Sequence, residues 1–184
     1  MYFYKDGFIG VKRFIQDPKF LLVDEPIQFE ELKKTKPIDW VYRNKEITYN
    51  LNEYGHRSKS ISQLEKDYVL FVGCSHTFGY GLALEDTYAY KVAKRLNLDY
   101  YNLSITGGQV ESCFYNTLSF LNKVENKPKK IFIQWPQFHR VLFYHNDNVV
   151  NLYSTHCNPE TSHFSDIRYD PIVYNTCLLY TSPS

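Results

Sequence analysis

The pattern of apolar and polar residues changes at Tyr68. From there Tyr-Val-Leu-Phe-Val is continuously apolar and ends at Gly73, which is typical of a strand buried on both faces of a parallel sheet. Residues 1–67 lack a sustained period, and Pro18, Pro26 and Pro37 interrupt any long element. Residues 46–52 alternate as a short strand does, and Gly55 offers a turn after them. We therefore predict an irregular lead-in with a short strand pair.

Beyond Gly73 the chain alternates between helical and strand patterns. Residues 85–96 and 111–124 have helical periodicity, whereas 99–103 and 130–135 are apolar or aromatic segments of strand length; 130–135 is interpreted as a third buried strand. A fourth strand is expected at 148–153. This alternation predicts an α/β fold, a parallel sheet with helices on both faces. Ligands bind beyond the carboxyl ends of such strands, so the loops after Val72, Leu103 and Trp135 are expected to share one crevice.

Composition excludes several classes of function. The 184 residues are 43% hydrophobic and include 17 Tyr, 13 Phe and 2 Trp, which argues against disorder. A formal charge of +1 gives no bulk attraction to nucleic acid or to an anionic membrane, so neither partner is expected.

Segments for targeting and disulfide frameworks are not evident in the sequence. No apolar run approaches the roughly 20 residues of a spanning helix, and the first residues do not have the form of a signal peptide. Four scattered cysteines, without a C-x-x-C pair, favour a reduced compartment: Cys74, Cys113, Cys157 and Cys177. Localisation is otherwise unknown, and we take the cytoplasm as the default.

The first loop of the crevice, Gly73-Cys-Ser-His-Thr-Phe-Gly79, contains a candidate nucleophile. Ser75 directly follows the buried strand in a turn bounded by glycines, where its hydroxyl is exposed at the edge of the sheet. The alternative is that Ser75 or Thr77 only caps a helix. A phosphate-binding loop is excluded because no G-K-[ST] follows, and the glycines do not match G-x-G-x-x-G.

The second loop, Asn102-Leu-Ser-Ile-Thr-Gly-Gly-Gln109, allows close approach of the backbone to a ligand. Glycine N–H groups suit an oxyanion hole, although a simple turn with positive φ has the same composition.

These two loops resemble the first and second blocks of the SGNH/GDSL hydrolases, with Cys74 where that family usually has Asp. The segment from Asn52 to Ser58 resembles the N-x-x-G-[FH]-R-S lead-in of many bacterial and phage members. The resemblance implies a three-layer α/β/α, flavodoxin-like parallel sheet. It also implies that Ser75 is the nucleophile and that the Gly107 N–H stabilises the oxyanion.

The match to the family's third block is poor in this sequence. The family has G-x-N-D after the third strand, and Gln137 falls on the position of the Asn whose amide is the other oxyanion donor. Arg140 matches a W-x-x-x-x-R stretch of phage-associated relatives, which implies an anion-holding group. Trp135 is interpreted as a wall of the crevice or a stacking residue, and His76 as a pocket or packing residue.

The fourth block, D-x-x-H, is missing. Glu160-Thr-Ser-His163 has its spacing with Glu for Asp, so His163 is a weak candidate for the base, with a loop histidine as the alternative. The remaining histidines have no ligand spacing, so neither a metal nor a cofactor is expected.

The end of the chain resembles a translated sequencing-adapter tail of metagenomic reading frames. Residues 177–184 are therefore expected to be non-native, residues 68–176 to be a partial SGNH-like domain that lacks its C-terminal part, and residues 1–67 to be the lead-in. A genuine short terminus is the alternative. The truncated chain itself is expected to be nearly inactive.

The sequence favours a serine ester hydrolase acting on a small-molecule or glycan ester, and the resemblance implies an O-acetylated carbohydrate as one candidate; the oligomeric state is unknown. A non-catalytic carbohydrate-binding or phage structural module of the same fold is the alternative. Cys74 as the nucleophile is a third and weaker hypothesis.

Overall fold

A computed structural model describes residues 2–3, 5–11, 26–43, 47–136, 141–145 and 148–152. The strands are β1 Tyr2–Phe3, β2 Ile9–Gly10, β3 Tyr68–Val72, β4 Asp99–Asn102, β5 Lys130–Ile133, β6 Val141–His145 and β7 Asn148–Leu152. The α-helices are α1 Pro26–Thr35, α2 Ser75–Phe78, α3 Tyr88–Leu96 and α4 Val110–Lys123. Short 3₁₀ turns lie at Lys5–Gly7, Val41–Arg43, Ile61–Gln63 and Leu84–Asp86.

A three-stranded parallel sheet forms the centre of the described fold. Its order is β4-β3-β5, and Leu70 of β3 lies opposite Tyr101 on one side and Ile131 on the other. Parallel neighbours need crossover connections, which α3 and α4 provide between successive strands. The predicted α/β fold is confirmed at this level.

The side chains of β3 alternate between the two faces of the sheet, as the period of a strand requires. Leu70 and Val72 pack in one buried cluster with Phe120 of α4, while Val69 and Phe71 pack in another with α3. All five residues of β3 are buried. The continuous apolar run is thus explained by a helix on each side.

Both predicted helices form, with shifted boundaries. α3 begins after Thr87, whose hydroxyl accepts a hydrogen bond from the Tyr90 N–H at 3.3 Å, and a 3₁₀ turn occupies the preceding residues. Its buried positions are Ala89 and Ala93, whereas Leu96 is exposed. Small residues on the inner face let α3 lie close to the sheet.

Helix α4 anchors the N-terminal hairpin as well as the sheet. Its buried Asn116 accepts a hydrogen bond from the Ile9 N–H at 2.7 Å and donates one to the Ile9 carbonyl oxygen at 2.8 Å. A single carboxamide therefore satisfies both backbone groups of a residue in β2, which holds the lead-in against the α/β unit.

Strand β5 forms, but the prediction of a buried strand is wrong. Ile131, Phe132 and Ile133 are 42%, 39% and 40% exposed. Among the described residues β5 pairs only with β3 and lies at the edge of the sheet. An apolar run indicates that its residues tend to be buried. Whether they are buried depends on a neighbouring element that is distant in the sequence.

The predicted fourth strand forms in a different sheet. β7 pairs antiparallel with β6, with Phe143 opposite Val150, and Tyr2 of β1 pairs with Asn148. These strands and β2 make an antiparallel sheet in the order β2-β1-β7-β6. The expectation that 148–153 extends the parallel sheet is therefore wrong, because a short connection after β6 favours a hairpin.

The lead-in also differs from its prediction. A strand pair is present, but it is β1 with β2, and residues 47–52 are irregular. The turn predicted after this segment is present, because Asn52 Oδ1 accepts hydrogen bonds from the N–H groups of Tyr54 and His56. Pro26 starts α1 rather than interrupting a helix, as a proline can at the first helical position.

The boundary at residue 68 stays a prediction. The last residues of the 68–176 segment and the whole of 177–184 lie outside the described residues.

Candidate functional site

The structure brings the three loops together at the carboxyl end of the parallel strands. The Ile105 N–H of the second loop donates to the Gly73 carbonyl oxygen of the first at 3.3 Å. The Gln134 N–H at the start of the third loop donates to the Val72 carbonyl oxygen at 2.9 Å. Because β3 is the central strand, its end and the first loop are hydrogen-bonded to the second loop on one side and to the start of the third loop on the other.

Ser75 is the first residue of α2, and two residues, Gly73 and Cys74, separate it from the last residue of β3. It is partly exposed, and its hydroxyl has no hydrogen-bond partner within the described part of the chain. The turn closes quickly because Gly79 adopts φ 76° and donates its N–H to the Ser75 carbonyl oxygen at 3.0 Å. The hydroxyl is thus held at the carboxyl end of the parallel sheet, by a tight turn between β3 and the single turn of α2.

Gly73 is required by the closeness of this turn. A Cβ atom built on Gly73 would overlap the hydroxyl oxygen of Thr77 and lie 3.1 Å from the Gln134 carbonyl oxygen. Thr77 is fully buried. The first loop can fold back over its own strand only because residue 73 has no side chain.

Asn102 joins the first loop to the second. Its Nδ2 donates to the Thr77 carbonyl oxygen at 3.0 Å, while its Oδ1 accepts hydrogen bonds from the N–H and the hydroxyl of Ser104. Asn102 is buried. Sequence reasoning quoted this residue without giving it a role, although a polar residue that ends a buried strand is a signal that could have identified it.

The two glycines of the second loop differ in function. Gly107 adopts φ 70° and is partly exposed, and its N–H has no partner among the described residues. A Cβ atom on Gly108 would lie 3.1 Å from the Ile105 side chain and 3.2 Å from the Gly73 carbonyl oxygen. Gly108 therefore permits the close contact between loops, and Gly107 has a backbone donor available at the loop surface.

The third loop contacts the first through a series of hydrogen bonds between side chains, which sequence reasoning missed. The Tyr88 hydroxyl donates to Thr77 Oγ1 at 2.9 Å, and Thr77 donates to Gln134 Oε1 at 2.8 Å. Trp135 is 53% exposed. Gln137 and Arg140, to which the resemblance gave roles, lie outside the described residues, as does His163.

Two histidines have described side chains, and the structure places neither as a base hydrogen-bonded to Ser75. His76 is exposed beside Ser75 in the chain, which does not fit its interpretation as a packing residue. His56 is fully buried; its Nε2 lies 3.1 Å from the Ile9 carbonyl oxygen, and its Nδ1 lies 3.5 Å from the Tyr101 hydroxyl. Desolvation by burial lowers the pKa of His56 to about 4.

Arg57, within the lead-in motif, fixes the end of the first loop. Its guanidinium donates to the carbonyl oxygens of Gly79 at 2.7 Å, Thr48 at 2.9 Å and Leu82 at 2.9 Å. The group stacks on Tyr49, with Cζ 4.5 Å from the ring centroid. Burial lowers the pKa of Arg57, but this guanidinium stays charged at any ordinary pH. Arg57 thus explains the N-x-x-G-H-R-S segment as a structural clamp.

The described cysteines do not favour the hypothesis that Cys74 is the nucleophile. Cys74 is buried beside Ser75, and Cys113 is buried in α4. Burial raises the pKa of the Cys113 thiol to about 12. Within the described residues, no three His, Cys, Asp or Glu side chains are grouped to hold a metal ion.

Comparison with family models, with curated proteins and with solved structures found no match for this chain. Among the helices of the described residues, none has the length and apolar character that crossing a membrane requires.

Proposed function

We propose that this chain is a serine ester hydrolase of the SGNH type, with Ser75 as nucleophile and the Gly107 N–H as an oxyanion donor. One observation carries the proposal. The Ser75 hydroxyl lies just beyond the carboxyl end of the central strand and has no hydrogen-bond partner among the described residues. The turn that holds it is hydrogen-bonded to the loop that contains Gly107.

The reaction that suits this arrangement is acyl transfer through a covalent intermediate. Ser75 Oγ attacks the carbonyl carbon of an ester and forms a new C–O bond while its proton passes to a base. The tetrahedral intermediate then expels the alcohol, which takes up that proton, and leaves an acyl group on Ser75. Attack by water releases the acid and restores the hydroxyl.

The backbone supplies the donors that this intermediate needs. The first N–H groups of a helix have no acceptor within it, so the start of α2 offers a donor beside the Ser75 side chain. Gly107 offers a second from the adjoining loop. Loss of one such donor typically costs about 100- to 1000-fold in rate. Gln137 is proposed as a third donor, from the continuation of the loop that begins at Gln134.

The proposed proton acceptor is neither of the two histidines whose side chains are described. His56 is held by Ile9 and Tyr101, and His76 adjoins the nucleophile in the chain. The proposal therefore assigns the base to a histidine outside the described residues, with His163 as the candidate in this chain.

The finer architecture is also part of the proposal. In a doubly wound sheet of this type further parallel strands follow the third, and the half-exposed apolar side chains of β5 support such a neighbour. The proposed substrate is a small-molecule or glycan ester, with no nucleic acid or membrane partner.

Release of p-nitrophenol from p-nitrophenyl acetate tests the proposal. With His163 as its base, the chain is expected to release a burst approaching one equivalent that Ser75→Ala abolishes; the near inactivity expected above for a truncated domain is the outcome if His163 is not the base. Ser62→Ala, at an exposed serine in a 3₁₀ turn remote in sequence from the loops, is the matched control and should retain the burst. Equal bursts in all three proteins would exclude Ser75 as nucleophile and favour a non-catalytic module of the same fold.

A further inference from the structure

A cavity of about 470 Å³ lies between the lead-in and strand β4, and none of the residues of the three loops described above lines it. The polar residues that line it are Thr48, Asn50, Arg57, Ser58, Lys59, Glu85 and Tyr100. Cavities of this size hold small molecules when a few convergent polar groups fix their orientation. The ester hydrolase proposed above does not use this cavity.

Several hydrogen-bonding groups of the lining are free to bind a ligand. The Tyr100 hydroxyl and the Asn50 carboxamide have no hydrogen-bond partner among the described residues. Ser58 Oγ accepts a hydrogen bond from the Asn102 N–H at 3.2 Å, so its own proton remains available. The cavity therefore offers both donors and acceptors, contributed by separate segments of the chain.

Two residues of the lining, Arg57 and Tyr100, are held in place by contacts within the protein. Arg57, 2% exposed, holds carbonyl oxygens of the lead-in and of the first loop with the same guanidinium. Tyr100 is fixed by edge contacts with Phe71 and Tyr90, whose ring centroids are each 6.3 Å from its own. A site fixed in this way loses little conformational entropy when it is filled.

The charges of the lining balance rather than attract an ion. Lys59 Nζ is paired with Asp99 Oδ1 at 2.7 Å, which cancels that cation locally. The charge of Arg57 is directed at backbone carbonyl oxygens, and the carboxylate of Glu85, another lining residue, interacts with it electrostatically. An anion would gain no net attraction here, whereas a neutral molecule with many hydroxyl groups could use the available donors and acceptors.

We propose that this cavity binds a neutral sugar, a mono- or disaccharide. Hydroxyl groups of the sugar bond to Tyr100, Ser58 and Asn50, and the apolar side chain of Leu84 lies against its C–H groups. The size of the cavity and the mixture of polar and apolar lining both fit this class of ligand. The site is independent of the reaction proposed for Ser75.

Amide chemical-shift mapping on the chain tests the site directly. Glucose, galactose and N-acetylglucosamine are the neutral probes, and glucuronate and inorganic phosphate are the charged ones. At least one neutral sugar is expected to shift the amides of residues 48–59, 83–85 and 100. Shifts confined to residues 75–79 and 104–109 would place the sugar at the Ser75 edge, and they would overturn the proposal, as would no response to any neutral sugar.

Two variants separate this site from non-specific binding. Tyr100→Phe keeps the ring packing but removes the hydroxyl, and Asn50→Ala truncates an exposed side chain, so neither should prevent folding. Each is expected to weaken binding about 3- to 10-fold, the usual effect of one hydrogen bond. Tyr115→Phe, at an exposed tyrosine of α4, is the matched control and should bind as the parent does. Unchanged affinity in both site variants, or tighter binding of glucuronate than of its neutral counterpart, would contradict the proposal.

Discussion

The carboxamide of Asn102 donates a hydrogen bond to the carbonyl oxygen of Thr77 across the end of the parallel sheet, at 3.0 Å. Thr77 belongs to the same helical turn as Ser75, and the other end of the Asn102 carboxamide holds Ser104 of the loop that contains Gly107. One buried side chain thus sets the relative position of the two loops from which we infer the chemistry.

Replacement of Asn102 by Ala should destabilise the protein. The change leaves the Thr77 carbonyl oxygen and the Ser104 groups buried without their partner, and each such loss costs about 1–3 kcal/mol. We expect a decrease of about 2–4 kcal/mol in the free energy of unfolding, measured with urea. Asn122→Ala, on the exposed face of α4, is the control and should change it by less than about 0.5 kcal/mol. A similar small change for Asn102→Ala would show that Asn102 does not hold the two loops together.

Replacement of Gly73 by alanine should lower the free energy of unfolding more than replacement of Gly81. Gly73→Ala brings a methyl group into the buried hydroxyl of Thr77, so we expect a loss of about 2–3 kcal/mol in unfolding free energy. Gly81 has φ 75° but nothing within 4 Å of a built Cβ, so Gly81→Ala should cost only about 1 kcal/mol, from backbone strain. Thermal and urea unfolding of both variants make the comparison. Equal losses would mean that the first loop is not as close to its strand as described.

Stability should fall on mild acidification because of His56. Its pKa is about 4 in the fold and about 6.5 in an unfolded chain, so the unfolded state binds the proton more readily. The contribution of His56 is complete above pH 6.5 and is lost as pH falls from 6.5 to about 4, for a total of about 3 kcal/mol. Carboxyl groups also titrate near the lower end, so the comparison must be made against a variant.

His56→Gln should flatten the stability curve between those pH values relative to the parent, and His76→Gln, at an exposed histidine, is the matched control for the substitution itself. An NMR titration of the imidazole protons in the parent gives an independent check. A His56 resonance that titrates near pH 6.5 in the folded protein would refute the prediction.

The elements around β3 were predictable because their signals are local. The apolar run at Tyr68, the helical period before Leu96 and the glycines after Asn102 are each contained within one segment. Their order along the chain then specifies parallel pairing, which the register of Leu70 with Tyr101 bears out.

Features that depend on distant partners were not predictable in the same way. The sequence of β5 shows that its residues are apolar, but their half exposure depends on what lies beside the strand. β7 has the pattern of any short strand, and its pairing with β6 and β1 is a choice among alternatives of similar local energy.

The side-chain contacts of the candidate site required the structure for a related reason. The hydrogen bond from Thr77 to Gln134 joins residues 57 positions apart, and it depends on the rotamers of both. The glycines and Ser75 could be identified from their motif, whereas the residues that position them could not.

Covalent trapping of the nucleophile shows whether Ser75 is activated as proposed. A fluorophosphonate probe reacts with an activated serine by forming a P–O bond to Oγ and releasing fluoride, and digestion followed by mass spectrometry identifies the modified residue. The account predicts a single adduct on the peptide that contains Ser75, absent in Ser75→Ala and retained in Ser62→Ala. An adduct on another residue, or an unmodified Ser75 under conditions that fully label a known serine esterase, would contradict it.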